Sequence, residues 1–269
     1  MAETYLDRIV RDKKVDLALA MHKVPGNALL ALAEAAPPPL DFAAPFRKPG
    51  VSVIGELKRV SPAKGVLGEA ADPAEVAVAY ATGGVAAISV LTEERHFKGS
   101  LIDLTKVRDA LLKEKLNRPL LRKDFILDPY QVIEARAFGA DAVLVIVAIV
   151  ESDDLLRELI EAIDLFEMTA LVEVNDETEV ARAIAAGATF IGINNRNLRT
   201  FDVTLETTER LRPLFPESTI VLSLSGISTQ ADVNSVRAAG VQGVLVGEAL
   251  MRSGDPAATA ADLVRWGKP

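Results

Sequence analysis

Cysteine is absent from this sequence, and histidine occurs only as His22 and His96. The first absence excludes disulfides, thiolate metal sites and a cysteine nucleophile. The second leaves too few imidazoles for a His-rich metal centre, so no metal is expected. His96 lies in the charged run Glu93-Glu94-Arg95-His96 and reads as a surface or loop residue. A basic stripe is also missing. The formal net charge is −8 and the isoelectric point about 5.0, which argues against a nucleic-acid surface. Any anionic substrate must then be held by a few placed Lys and Arg side chains. The longest apolar run, Ala142 to Val150, is far shorter than the roughly 20 residues that span a bilayer. Met1 to Asp7 carries no apolar signal core. The expectation is a cytoplasmic protein with no membrane or nucleic-acid partner.

What the chain does have, after residue 50, is a repeated short apolar run followed by an amphipathic stretch. The runs are Val51–Leu57, Ala86–Leu91, Pro119–Arg122, Ala142–Val147, Ala170–Val174, Phe190–Asn194, Ile220–Leu224 and Gly243–Val246. They are β-branched and largely lack polar alternation, as strands covered on both faces do. Asp72-Pro73 and Ser152-Asp153-Asp154 read as helix starts, while Gly187 and Gly240 read as helix C-caps. Alternating strand and helix implies a parallel sheet. Eight units in 269 residues favour a closed (β/α)8 TIM barrel, which needs roughly 250 residues, over an open doubly wound sheet. No G-x-G-x-x-G follows the first strand, which weakens a dinucleotide-binding reading.

Residues 1–50 differ, and are expected to form an N-terminal helical extension packed on the barrel formed by residues 51–269. Glu3 to His22 has helical period, and Pro37-Pro38-Pro39 ends any helix. The extension reads equally as a plug for a barrel end and as a flap over the active site.

In such a barrel the chemistry belongs at the C-terminal strand ends. Alternation places Glu56 and Lys58 on one face, pointing to the axis. Lys123 ends the third strand, Glu173 lies in the fifth, and Asn194 and Arg196 end the sixth. Convergence of these charges on one mouth is the functional reading; a structural ion-pair rim is the bland one. Ser225-Gly226 after strand seven and Gly247-Glu248 after strand eight read as a phosphate site built from backbone N–H groups, where Glu248 is no obstacle.

Several segments resemble those of the indole-3-glycerol-phosphate synthase family. They are Glu56-Leu57-Lys58-Arg59-Val60-Ser61-Pro62, Ser89-Val90-Leu91-Thr92-Glu93, Phe97-Lys98-Gly99-Ser100, Leu121-Arg122-Lys123-Asp124-Phe125, Leu171-Val172-Glu173-Val174 and Ile191-Gly192-Ile193-Asn194-Asn195-Arg196-Asn197-Leu198. The resemblance runs from about residue 3 to the C-terminus. It implies ring closure, decarboxylation and dehydration of 1-(2-carboxyphenylamino)-1-deoxyribulose 5-phosphate, with no cofactor, by a monomer or weak homodimer. It implies Lys123 as general acid, Glu173 as general base, Lys58 as the carboxylate-binding second cation and Glu56 as its orienting partner. Ser61, Phe97, Asn194, Arg196, Ser225, Gly226, Gly247 and Glu248 would bind substrate. Lys58 beside Lys123 is expected to lower the acid's pKa toward neutrality.

One departure stands out. Where the family usually reads Ala-Glu-Ser-Gly, this chain reads Ser223-Leu224-Ser225-Gly226, and Gly55 precedes Glu56. Three readings of the Glu-to-Leu change are open: a tolerated variant, an impaired enzyme, or a barrel redesigned at Gly55, Ser223 and Leu224 for an apolar ligand. A redesigned pocket would suit carbon-proton abstraction by Glu173 or Glu56 (a Kemp-type elimination) or a Lys Schiff-base retro-aldol at Lys123 or Lys58. An inactive phosphate-binding barrel is a further alternative.

Overall fold

The apolar runs all become strands, within one residue of the expected ends: β1 (Ser52–Leu57), β2 (Ala87–Leu91), β3 (Leu120–Lys123), β4 (Ala142–Ile146), β5 (Thr169–Val174), β6 (Phe190–Asn194), β7 (Ile220–Leu224) and β8 (Gly243–Val246). The computed structural model describes residues 3–61, 65–68, 71–197 and 200–269; Pro62 and Leu198 of the motifs above lie outside them. Neighbouring strands run parallel, and β1 pairs with both β2 and β8, closing the (β/α)8 barrel.

Strand alternation divides the core in two. Val53, Leu57, Ile88, Val90, Val143, Val145, Val172 and Ile193 face outward beneath the helices. Ile54, Ala87, Leu121, Leu144, Leu171, Leu222, Leu224 and Leu245 fill the barrel interior. Burial on both faces explains the unbroken apolar runs. The helix signals also hold. Asp72 accepts from the Ala74 N–H at 2.9 Å and starts the helix Pro73–Thr82. Ser152 accepts from the Leu155 N–H at 3.1 Å and starts Asp153–Leu165. Gly187 and Gly240 adopt φ of 83° and 87° just past their helices, a conformation that costs glycine little.

The N-terminal segment serves both ends of the barrel. Helix α1 (Tyr5–Lys23) starts at a capping box in which Thr4 and Asp7 satisfy each other's backbone N–H groups. It crosses the C-terminal mouth and is fastened there by a buried ion pair, Lys13 Nζ to Asp124 Oδ1 at 2.6 Å. At its far end the Tyr130 hydroxyl lies between the Val24 and Ala20 carbonyls, 3.0 and 3.2 Å away, with its one proton to share between them. Helix α2 (Gly26–Ala35) packs beside the helix Pro129–Ala137. The chain then passes under the barrel, where Phe42 and Phe46 bury their rings against Phe190 with centroids 5.8 and 5.3 Å away. Phe190 opens β6, so this aromatic group closes the N-terminal end. The plug and the cover are thus two parts of one extension. His96 is a loop residue, but a half-buried one, held between Tyr5 Oη at 3.2 Å and Asp12 Oδ2 at 3.1 Å of α1.

Among the described residues no helix is long and apolar enough to cross a membrane.

Candidate active site

Inward-facing positions at the strand ends bring the expected charges together. Glu56 ends its run on the interior face of β1, and Lys58, two residues on, reaches back to it with Nζ 2.8 Å from Oε1. Across the mouth, Lys123 Nζ at the end of β3 lies 3.6 Å from Glu173 Oε2 on β5. Asn194 Nδ2, on the adjacent β6, donates to Glu173 Oε1 at 2.8 Å, and its Oδ1 accepts from the Arg196 N–H at 3.0 Å. Asn194 therefore fixes the Glu173 carboxylate. The second oxygen, Oε2, is buried and makes no hydrogen bond among the described residues. A buried oxygen without a donor is costly unless a ligand or a charge completes it.

Burial pushes the Glu56 carboxyl up, but Lys58, Lys123 and Arg196 outweigh it and hold the group below the usual carboxylate range. Burial pushes the Lys123 ammonium down, but Glu173 and Glu56 outweigh it and raise the group above the ordinary lysine range. The expected lowering of Lys123 by Lys58 is therefore overturned. Each lysine faces its own carboxylate, and the nearest charges decide.

The mouth opens into a cavity of about 680 Å³. Glu56, Lys58, Ser61, Lys123, Glu173, Asn194 and Arg196 line it, together with Ser225, Gly226, Gly247 and Glu248. Ser225 and Gly226 have φ of 67° and 83°, a left-handed turn. A side chain at Gly226 would strike Val203, so the loop after β6 demands glycine there. At Gly247 an added Cβ would lie 2.7 Å from Glu56 Oε1; the missing side chain makes room for the carboxylate. A smaller, apolar chamber of about 90 Å³ adjoins the first, walled by Tyr5, Leu6, Ile9, Phe97, Phe125 and Ile146. It shares Lys58, Lys123, Glu173, Asn194 and Arg196 with its neighbour. All twelve expected catalytic and binding residues line one chamber or both.

Two of the three altered positions do not touch the pocket. Gly55 faces outward, where an added Cβ would lie 2.7 Å from the Tyr80 ring. Ser223 also faces outward; its hydroxyl accepts from Asn195 Nδ2 at 2.8 Å and meets Thr208 Oγ1 at 2.8 Å, tying β7 to the loop and helix after β6. Neither reshapes a ligand site. Leu224 does line the cavity, packed against Gly192, whose added Cβ would lie 2.5 Å from Leu224 Cδ1. Sequence reasoning missed the apolar wall from α1 and the loop residue Phe201, which lines both chambers. The helical period of residues 3–22 gave the helix but not its buried face: Val15 and Leu19 are exposed, and Leu6, Ile9 and Lys13 are the buried positions.

Solved barrels share the architecture. A 3-hexulose-6-phosphate synthase aligns at a TM-score of 0.61 and 19% identity, over 80% of this chain and 99% of that one. A thiamine phosphate pyrophosphorylase from Pyrococcus furiosus aligns at 0.59 and 17%, over 80% and 94%. A barrel whose mouth sets lysines against buried carboxylates is that of an enzyme. The family model described as indole-3-glycerol phosphate synthase matches residues 6–263. Proteins of that name from Rhodococcus opacus (strain B4) and Mycobacterium tuberculosis (strain ATCC 25177 / H37Ra) are 50% and 46% identical over 264 residues. The alignments cover 98% of this chain and 96% and 95% of those proteins. The chain belongs to the indole-3-glycerol phosphate synthase family, and is a carboxy-lyase of tryptophan biosynthesis. The redesigned-barrel alternative gains no support from these relatives.

Proposed function

We propose that the mouth binds 1-(2-carboxyphenylamino)-1-deoxyribulose 5-phosphate and closes its ring by acid–base catalysis between Lys123 and Glu173. The observation that carries this reading is the Lys123–Glu173 pair, whose carboxylate has one oxygen held by Asn194 and the other left without a hydrogen bond. Lys123, kept as an ammonium, gives its proton to the alkoxide that forms when the ring carbon attacks the ketone. Carbon dioxide then leaves and its bonding pair restores the ring. Glu173 takes the ring or amine proton and passes it to Lys123, 3.6 Å away, which gives it to the departing hydroxyl as water leaves, so that Glu173 ends as a carboxylate and Lys123 as an amine. Lys58, oriented by Glu56, meets the substrate carboxylate, and Arg196 and Asn194 position the anthranilate part. The apolar chamber between α1 and Phe97 suits the aromatic ring. Ser61 and the backbones at Ser225-Gly226 and Gly247-Glu248 suit a carboxylate or phosphate, a grip remote from the reacting carbon that supplies orientation.

The test is formation of indole fluorescence from this substrate by the chain itself, by Leu224→Glu and by Lys123→Ala. Turnover by the first two makes Leu224 a tolerated change. Loss of about 10²-fold or more in kcat for Lys123→Ala fits a general acid; unchanged kcat refutes the assignment. Product from Leu224→Glu alone would mean that Leu224 disables an inherited site.

A further inference from the structure

The reaction proposed above consumes protons. The substrate carboxylate leaves as neutral carbon dioxide. The alkoxide and the departing hydroxide take up two protons, and the ring or amine returns one. Each turnover therefore draws one proton from solvent. With substrate filling the mouth, Lys123 and Glu173 face substrate on that side, and the proton needs another entrance.

A third cavity, of about 480 Å³, also reaches Glu173, and it shares Leu6 and Ile146 with the wall of the apolar chamber. Its polar lining includes Asn175, Asp176, Glu179, Arg182 and Asn197, and Glu173 is the one described residue that it shares with the mouth cavity. Glu179 sits in the first turn of the helix Glu177–Ala185. Its Oε2 accepts from the Asn175 N–H at 2.7 Å. Asn175 Nδ2 in turn donates to the Asn194 carbonyl at 2.6 Å, one residue's length from the side chain that holds Glu173. Burial pushes the Glu179 carboxyl up to about 7, against the Asn175 hydrogen bond and Arg182, while the charges of Asp176 and Glu173 add to the rise. Arg182 spends its donors elsewhere, on Asp153 Oδ1 at 2.6 Å and on the Val147 and Val150 carbonyls at 3.1 and 3.0 Å. The cavity has room for a chain of several waters at roughly 30 Å³ each.

We propose that Glu179 relays protons from solvent to Glu173 through this third cavity, and so recharges Lys123 between turnovers. Glu179 touches no reacting atom and acts only through Glu173. The Glu179 carboxyl gives its proton along cavity water to the Glu173 carboxylate, Glu173 passes it to the Lys123 amine, and solvent reprotonates Glu179. No electron changes hands. The relay rests on the proposed reaction, and its test separates the two.

The experiment is steady-state indole fluorescence with the whole chain and its Glu179→Gln variant at pH 7 to 8.5, with imidazole as a diffusible proton donor. Glutamine still accepts from the Asn175 N–H, so the helix start is kept, and thermal unfolding verifies it. The expected result is a fall in kcat of about tenfold with KM little changed, at the lower end of general acid–base effects because water bypasses a lost relay. Imidazole should restore kcat in the variant and leave the parent unchanged, and Glu179→Asp should recover part of the rate without imidazole. An unchanged kcat, or a fall that imidazole does not reverse, overturns the relay while the reaction stands. Absence of product from the parent chain overturns the reaction, and the relay with it.

Discussion

Replacing Lys13 with Met should strip Asp124 of the ammonium that offsets its burial, and loosen α1 from the mouth. Asp124 is 2% exposed and is held by Lys13 at 2.6 Å, by Arg122 NH2 at 3.1 Å and by the Thr92 hydroxyl at 2.6 Å. Burial pushes its carboxyl up, yet Lys13 and Arg122 bring it down to about 2 from an ordinary 3.8. That depression is roughly 2 to 3 kcal/mol at about 1.4 kcal/mol per unit. Removing one partner of a buried pair costs about 3 to 5 kcal/mol where nothing else compensates. Arg122 compensates in part, although it also serves Glu134 at 3.2 Å. A loss of about 2 to 4 kcal/mol follows, or a drop in Tm of roughly 4 to 15 °C for a chain of this size. The depressed pKa stabilises the fold above the ordinary aspartate range and ceases to do so as pH falls toward 2. The variant should therefore unfold at a higher pH on acid titration. The assay is circular dichroism against temperature at pH 7.5 and against pH at 25 °C, with Lys13→Met/Asp124→Asn as the second variant. That pair removes both charges and should recover part of the loss. Because Tyr5, Leu6 and Ile9 wall the apolar chamber, KM should rise more than kcat falls. A Tm within about 2 °C of the parent together with an unmoved acid midpoint would refute the reasoning.

Gly192→Ala should cost about 1 to 3 kcal/mol by driving a methyl into Leu224, and Leu224→Ala added to it should cost less than the sum of the two single changes; strict additivity in urea unfolding would place the clash elsewhere. Gly55→Ala should lower stability through Tyr80 by a similar amount and leave KM unchanged, since the position faces the helices; a changed KM would return Gly55 to the pocket. Ser223→Ala should lose about 1 kcal/mol, since it leaves one Asn195 amide hydrogen and the Thr208 hydroxyl short of a partner while Asn195 Nδ2 keeps the Ser225 carbonyl at 3.0 Å, and turnover should persist at moderate temperature; a turnover defect without a Tm shift would contradict that. Lys58→Gln removes the nearest cation from Glu56, so the acidic limb of kcat/KM should move up in pH toward the ordinary glutamate range; a limb that stays put would exclude Glu56 from it.

Much of the site was legible because a strand alternates with period two and a barrel turns one face of every strand to its axis. Glu56 and Glu173 could be assigned inward from neighbours of known polarity. The same rule carried a signal that was passed over. Gly55 and Ser223 each adjoin an inward residue, Glu56 and Leu224, and must therefore face out. Phe201 and the α1 wall left no such trace, since a loop has no period and a buried helical stripe does not name its partner.

By itself the sequence determined the eight units, their order and the mouth at which their charges gather, because these follow from local periodicity, capping and the handedness of parallel connections. Only the tertiary structure decided which carboxylate each lysine meets, and hence that Lys123 is raised rather than lowered. It alone showed that one extension both plugs the barrel floor and covers its mouth, and that a third, polar cavity also reaches Glu173. Electrostatic energies vary steeply with distances of a few ångströms between groups far apart in the chain. Those distances come into being only when the barrel closes.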